Sequence, residues 1–227
     1  MKFGVIVFPG SNCDRDVATV TNGLLDVPTR MVWHQETDIS DIDVVVIPGG
    51  FSYGDYLRCG AIARFSPVIK SVIEHANRGK YVLGICNGFQ ILTEVGLLPG
   101  ALIRNRDLHF ICDRVFVKVE RNDLPWTQNY SAKQVVTFPI AHGEGRYYAD
   151  YDILQALEDG DRVLFRYCNS KGDINESSNP NGSLNNIAGI INEQGNVLGM
   201  MPHPERASDF ALGATDGKAM FAGIVNQ

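Results

Sequence analysis

Tyr81–Gln90 reads YVLGICNGFQ. An apolar, strand-like run, Tyr81–Ile85, passes through Gly84-Ile85-Cys86-Asn87-Gly88 into a second apolar stretch (Phe89, Ile91, Leu92) of helical character. A cysteine between two glycines at a strand-to-helix junction is the thiol form of the nucleophile elbow. The turn is so sharp that neighbouring Cβ atoms would collide, which is why glycines flank a cysteine held in strained backbone. Such a turn raises Cys86 at the carboxyl end of a sheet, beside a helix N-terminus whose dipole favours thiolate. The N–H of Asn87 then points where an oxyanion would form. A buried cysteine in a tight turn, with glycines for packing alone, remains the other reading of this stretch.

Outward from the elbow, Phe3–Phe8 (FGVIVF) and Val44–Ile47 (VVVI) are further strand-like runs, rich in β-branched residues. Near-continuous apolarity predicts strands buried on both faces, as in a parallel sheet. In Ile62–Asn77, apolar residues recur every three or four positions, which predicts a helix. Strand, helix, strand alternation makes βαβ units. The second half differs: Val115–Glu120, Phe138–Ala141, Val163–Tyr167, Ile187–Ile191 and Val197–Met201 are strand-like with few helices between them. Asn192–Asn196 (NEQGN) predicts a hairpin turn around Gly195, and Asp216–Val225 a closing amphipathic helix. The expectation is an α/β fold: a flavodoxin-like, mostly parallel sheet with helices on both faces and an antiparallel extension. Its 227 residues suit a single domain over residues 1–227. Ser170–Asn186 is polar and turn-rich, and composition leaves open whether it is loose or an ordered binding loop.

A formal net charge of -6 gives no electrostatic reason to bind nucleic acid or an anionic membrane. No run of about 18 apolar residues predicts a membrane span, and the N-terminus lacks the long apolar stretch of a signal peptide. The five cysteines include no CxxC pair, so neither a disulfide framework nor a zinc site is expected, and a reducing cytoplasm is the natural compartment. Cys13, Cys59, Cys112 and Cys168 read as small buried hydrophobes.

A thiol nucleophile needs a base that takes its proton and later protonates the leaving amine. Among five histidines, His203 stands out within Gly199–Arg206 (GMMPHPER), just past a strand and stiffened by prolines on both sides. Glu205 can turn back to hold the imidazole tautomer. Gly50, in Ile47–Phe51 (IPGGF) after another strand, is the candidate second oxyanion donor with Asn87. An ordinary glycine turn explains those glycines equally well in isolation.

Together, the Gly49-Gly50 pair, GICNGFQ and MPHPER resemble the class I (triad) glutamine amidotransferases. Phe8–Asp14 (FPGSNCD), Gly49–Arg58 (GGFSYGDYLR), Ala141–Arg146 (AHGEGR) and Asn179–Ser183 (NPNGS) are similar, within that family, to the small glutaminase subunits of an ATP-dependent synthetase of purine biosynthesis. The resemblance implies a catalytic Cys86, His203 and Glu205, an oxyanion hole from Gly50 and Asn87, and a glutamine site near Gln90 and His142, without a metal. It also implies L-glutamine as substrate. The partners it implies are a large synthetase subunit that aminates formylglycinamide ribonucleotide, and a small accessory subunit. There is no G-x-x-x-x-G-K-[ST], so no cofactor is expected on this chain, and ATP and Mg belong to the partner. A stand-alone amidohydrolase or peptidase of the same fold is the competing reading. A non-catalytic relative would place an acidic residue on the first strand, where Phe3–Phe8 has none.

Overall fold

The computed structural model describes residues 1–225. Among these residues eleven strands form: β1 Phe3–Val7, β2 Thr29–Trp33, β3 Val44–Ile47, β4 Tyr81–Ile85, β5 Ala101–Ile103, β6 Ile111–Val119, β7 Val135–His142, β8 Arg146–Tyr148, β9 Val163–Cys168, β10 Ile187–Ile191 and β11 Val197–Met200. Nine of them make one sheet in the order β2-β1-β3-β4-β11-β10-β9-β6-β7, and β5 pairs with β8 apart from it. From β2 to β11 every neighbour is parallel; from β11 to β7 every neighbour is antiparallel. The antiparallel extension is therefore four strands wide. All residues of β3 and β10 are buried, so both faces of the sheet's centre are covered, as their wholly apolar runs require.

Among the described residues five α-helices accompany the sheet: α1 Asp14–Ala18, α2 Pro67–Asn77, α3 Asn87–Glu94, α4 Tyr151–Asp159 and α5 Asp216–Val225. The predicted helix over Ile62–Asn77 starts five residues late. Pro67 drives Ser66 to φ -65°, ψ 139°, outside the helical region, and Ala63–Phe65 forms a separate short turn. Phe65, read as part of the apolar stripe, is instead exposed. Ser170–Asn186 is ordered. Asn181, Ser183 and Asn186 are buried within it, and Asn186 Nδ2 donates to the Tyr167 carbonyl at 3.1 Å. Among the described residues no helix is long and apolar enough to cross a membrane.

The sheet order positions the site. β4 lies between β3 and β11, parallel to both, with Ile47 opposite Gly84 and Met200 opposite Ile85. The segments leaving β3, β4 and β11 emerge side by side at one carboxyl edge, where open α/β sheets place their ligands.

Candidate active site

Cys86 follows β4 directly and has φ 50° and ψ -105°, a conformation rare for a residue with a side chain. Its N–H donates to the Met200 carbonyl at 2.8 Å, and its own carbonyl accepts from Gln90 N at 3.2 Å, opening α3. α3 packs so closely that a Cβ on Gly88 would sit 1.9 Å from the Ile47 carbonyl oxygen. The elbow glycines are thus demanded by helix-on-strand contact. The Cys86 thiol lies 3.7 Å from the Ala141 carbonyl and is 6% exposed.

Past β11, His203 N–H donates to the Pro139 carbonyl at 2.8 Å, fixing the loop against β7. A short helical turn, Pro204–Ala207, returns Glu205 to the imidazole, with Oε1 2.6 Å from Nδ1. Both side chains are almost wholly buried, at 2% and 1% exposure. Burial opposes an imidazolium, but the Glu205 carboxylate and the Cys86 and Cys13 thiols beside the ring outweigh it, holding His203 well above the ordinary histidine value. A ring so poised can take the thiol's proton and keep it beside the leaving group.

Gly49 and Gly50 play different parts. A Cβ on Gly49 would lie 2.6 Å from His203 Cε1, 3.1 Å from Cys13 Sγ and 3.4 Å from Cys86 Cβ, so its missing side chain is the space where these groups converge. Gly50 has φ 153°, and a Cβ there would lie 2.7 Å from Asn12 N. This loop is laced to the one after β1: Cys13 N–H donates to the Gly49 carbonyl at 3.0 Å and Phe51 N–H to that of Gly10 at 2.9 Å. No hydrogen bond among the described residues engages the N–H of Gly50 or of Asn87.

Gln90 is buried, and its amide is used at both ends. Asn87 Nδ2 donates to Gln90 Oε1 at 2.9 Å, and Gln90 Nε2 donates to the Glu144 carbonyl at 2.7 Å. Ser52 Oγ donates to Asn87 Oδ1, tying the loop after Gly50 into the same network. Gln90 thus braces the site wall and does not present a free amide.

His142 is also buried. Asn105 Nδ2 donates to the carbonyls of His109 and His142, which turns Asn105 Oδ1 toward His142 Nδ1 at 3.1 Å. Nδ1 therefore carries the proton, and Nε2 is a bare acceptor with no partner among the described residues. Burial, with His203 nearby, lowers its pKa to about 4. Between about pH 6.5 and pH 4 the unfolded chain takes up a proton that the folded chain refuses, so stability falls with pH across that window. His142→Gln is expected to remove up to about 3 kcal/mol of that loss, read as a smaller difference in urea unfolding between pH 7 and pH 4.5.

The residue that sequence reasoning missed is Cys13. It follows β1, whose carboxyl end shares the site's edge, and its buried thiol lies against His203. Nothing in FPGSNCD announces this, because the contact exists only once β1 and β11 are placed around β3 and β4.

The profile of the CobB/CobQ-like glutamine amidotransferase domain matches residues 1–215. This chain belongs to that family. A curated Synechocystis relative, phosphoribosylformylglycinamidine synthase subunit PurQ, is 74% identical over 97% of this amidotransferase chain and 98% of its own length. The subunit of the same name from Thermosynechococcus vestitus is 62% identical over 99% and 93%. A chain of the Thermotoga maritima PurLQS structure superposes with a TM-score of 0.87 at 42% identity, over 99% of this chain and 97% of its own. A glutamine amidotransferase from Thermotoga maritima, with a TM-score of 0.57 at 16% identity over 90% and 76%, shares the fold. A cavity of about 770 Å³ beside Asp14, Arg15 and Trp33 touches neither Cys86 nor His203. The thiol site itself is nearly closed.

Proposed function

We propose that this chain is the glutaminase subunit of a phosphoribosylformylglycinamidine synthase, acting in purine biosynthesis in the cytoplasm. The observation that carries the glutaminase reading is the buried His203–Glu205 pair brought beside the elbow thiol of Cys86. Full-length likeness to the curated PurQ subunits supports the choice of acceptor.

In this reading the Cys86 sulfur attacks the carboxamide carbon of L-glutamine while His203 takes the thiol proton. Charge gathers on the amide oxygen, within a hole formed by the N–H groups of Gly50 and Asn87. His203 returns the proton to the nitrogen as the C–N bond breaks, leaving a glutamyl thioester and ammonia. Water, deprotonated by His203, then cleaves the thioester to glutamate and restores the thiol. Glu205 holds the imidazole throughout. Gln90 and His142 border the glutamine site, with Gln90 as a brace and His142 as a neutral acceptor. The ammonia passes to a large synthetase subunit, assisted by a small accessory subunit. That synthetase holds ATP and Mg and aminates formylglycinamide ribonucleotide.

A site this closed must open for glutamine, and the Phe51–Arg58 loop is the segment built to move. Tyr53, Asp55 and Leu57 all have positive φ, and Tyr56 and Leu57 are 73% and 92% exposed. Docking of the synthetase on this loop, with Ser170–Asn186 as a second contact, would align Gly50 with the thiol, since a misplacement of about 1 Å costs about 10²-fold. The isolated chain is therefore expected to hydrolyse glutamine at no more than about 1% of the rate reached with synthetase, ATP and formylglycinamide ribonucleotide. An isolated chain already running at the complex's full rate would favour the stand-alone amidohydrolase instead.

A further inference from the structure

We infer that Cys13, His203 and Glu205 form a binding site for a thiophilic divalent cation, Zn²⁺ above all, whose occupancy shuts the active site. Cys13 Sγ, a ring nitrogen of His203 and a carboxylate oxygen of Glu205 lie within 4.8 Å of one another, and all three side chains are buried. With Zn–S about 2.3 Å and Zn–N and Zn–O about 2.0–2.2 Å, tetrahedral ligands stand roughly 3.3–3.7 Å apart, so the site forms as Cys13 closes by up to about 1 Å and the cation replaces the hydrogen bond of the His203 Nδ1–Glu205 Oε1 pair, which spreads from 2.6 Å. Thiolate, imidazole and carboxylate together are a zinc donor set; magnesium and calcium demand oxygen throughout.

One further atom points the same way. Glu205 Oε2 is buried without a hydrogen-bond partner among the described residues. Leaving such an acceptor dry is costly, and a cation relieves that cost. The place is also kept open, since any side chain on Gly49 would fill the space between His203 and Cys13. Burial raises the Cys13 pKa, so the metal must displace a thiol proton, and affinity should rise with pH. The ligands stand at positions 13, 203 and 205, a spacing that no cysteine-pair motif reveals.

A neutral imidazole has one in-plane lone pair. A cation that takes it, at either nitrogen, leaves none to accept the Cys86 proton. Metal and glutamine chemistry therefore exclude each other. The inhibition rests on the catalytic reading above, whereas the binding does not. Cys86 itself is not among the three ligands, which separates this site from simple metal capture by a reactive thiol.

The test is titration of the full-length chain with Co²⁺, followed by displacement with Zn²⁺. Wild type and Cys86→Ala are expected to bind one equivalent with a thiolate-to-cobalt charge-transfer band. Cys13→Ser should lose the band and bind Zn²⁺ at least about tenfold more weakly. In the unmutated chain, Zn²⁺ should slow alkylation of Cys13 measured by mass spectrometry, a readout that needs no folded variant. The inference is overturned if wild type shows no band, if Cys13→Ser keeps it, if Cys86→Ala loses it, or if Cys13 alkylation is unchanged. Zn²⁺ should also suppress glutamine turnover in the complex, with recovery on chelation. A metal-free complex that cannot use glutamine at all counts against the catalytic reading alone.

Discussion

Cys86→Ala is expected to abolish glutamine-dependent amination by the assembled synthetase while leaving amination from added ammonium salts intact. The loss should be at least about 10⁴-fold in kcat for glutamine, because the covalent intermediate has no other nucleophile. Cys59 is no substitute: burial and the neighbouring Asp55 and Glu144 carboxylates push its thiol far above the range in which a thiolate forms. Cys13 cannot stand in either, since burial holds it protonated. His203→Ala should cost nearly as much. Glu205→Gln should cost less, because an amide still fills the space beside Nδ1 and only the charge is gone. The paired assay separates the roles: glutamine use reads the thiol site, ammonium use reads the synthetase. Glutamine use surviving in the Cys86→Ala complex would refute the mechanism.

Gly49→Ala should also have a large effect, and it tests the site's geometry. The added methyl would lie 2.6 Å from His203 Cε1, far inside van der Waals contact, and 3.4 Å from Cys86 Cβ. The imidazole must tilt or retreat, and a shift of about 1 Å costs about 10²-fold in thioester formation. Gly50 is a poorer probe. At φ 153°, with a Cβ position 2.7 Å from Asn12 N, any substitution there breaks the loop as well as the proposed oxyanion hole. For Gly49→Ala the expected result is kcat down about 100-fold, KM for glutamine changed little, and the melting temperature close to wild type. Normal turnover with a lower melting temperature would mean that this glycine serves only to make a turn.

The strand-to-helix turn at Cys86, the strands β3, β4 and β10 and the helix α5 were legible end to end in the chain, because each rests on local chemistry. Apolar runs rich in β-branched residues read as buried strands, and the hairpin at Asn192–Asn196 forms around Gly195 at φ 74°. Edge and marginal elements were not legible. β2 (TRMVW) lies at the sheet's edge with only Val32 buried, so its pattern carries little periodicity. α4 (YDILQALED) buries only Leu157 and was passed over in a half read as strands. The late start of α2 was signalled by Pro67 but masked by the apolar spacing that continues upstream of it.

At the candidate site, sequence alone nominated Cys86, His203 and Glu205, because each stands in a short motif whose chemistry is local. Only the tertiary structure decided which strands are neighbours. Strand order follows from burying the whole sheet at once, not from any residue's own preference. That order sets β4 between β3 and β11, and with them Gly49 against the imidazole. It also brings the loop after β1 to the same edge, so that Cys13, 190 residues from His203, becomes part of its surroundings.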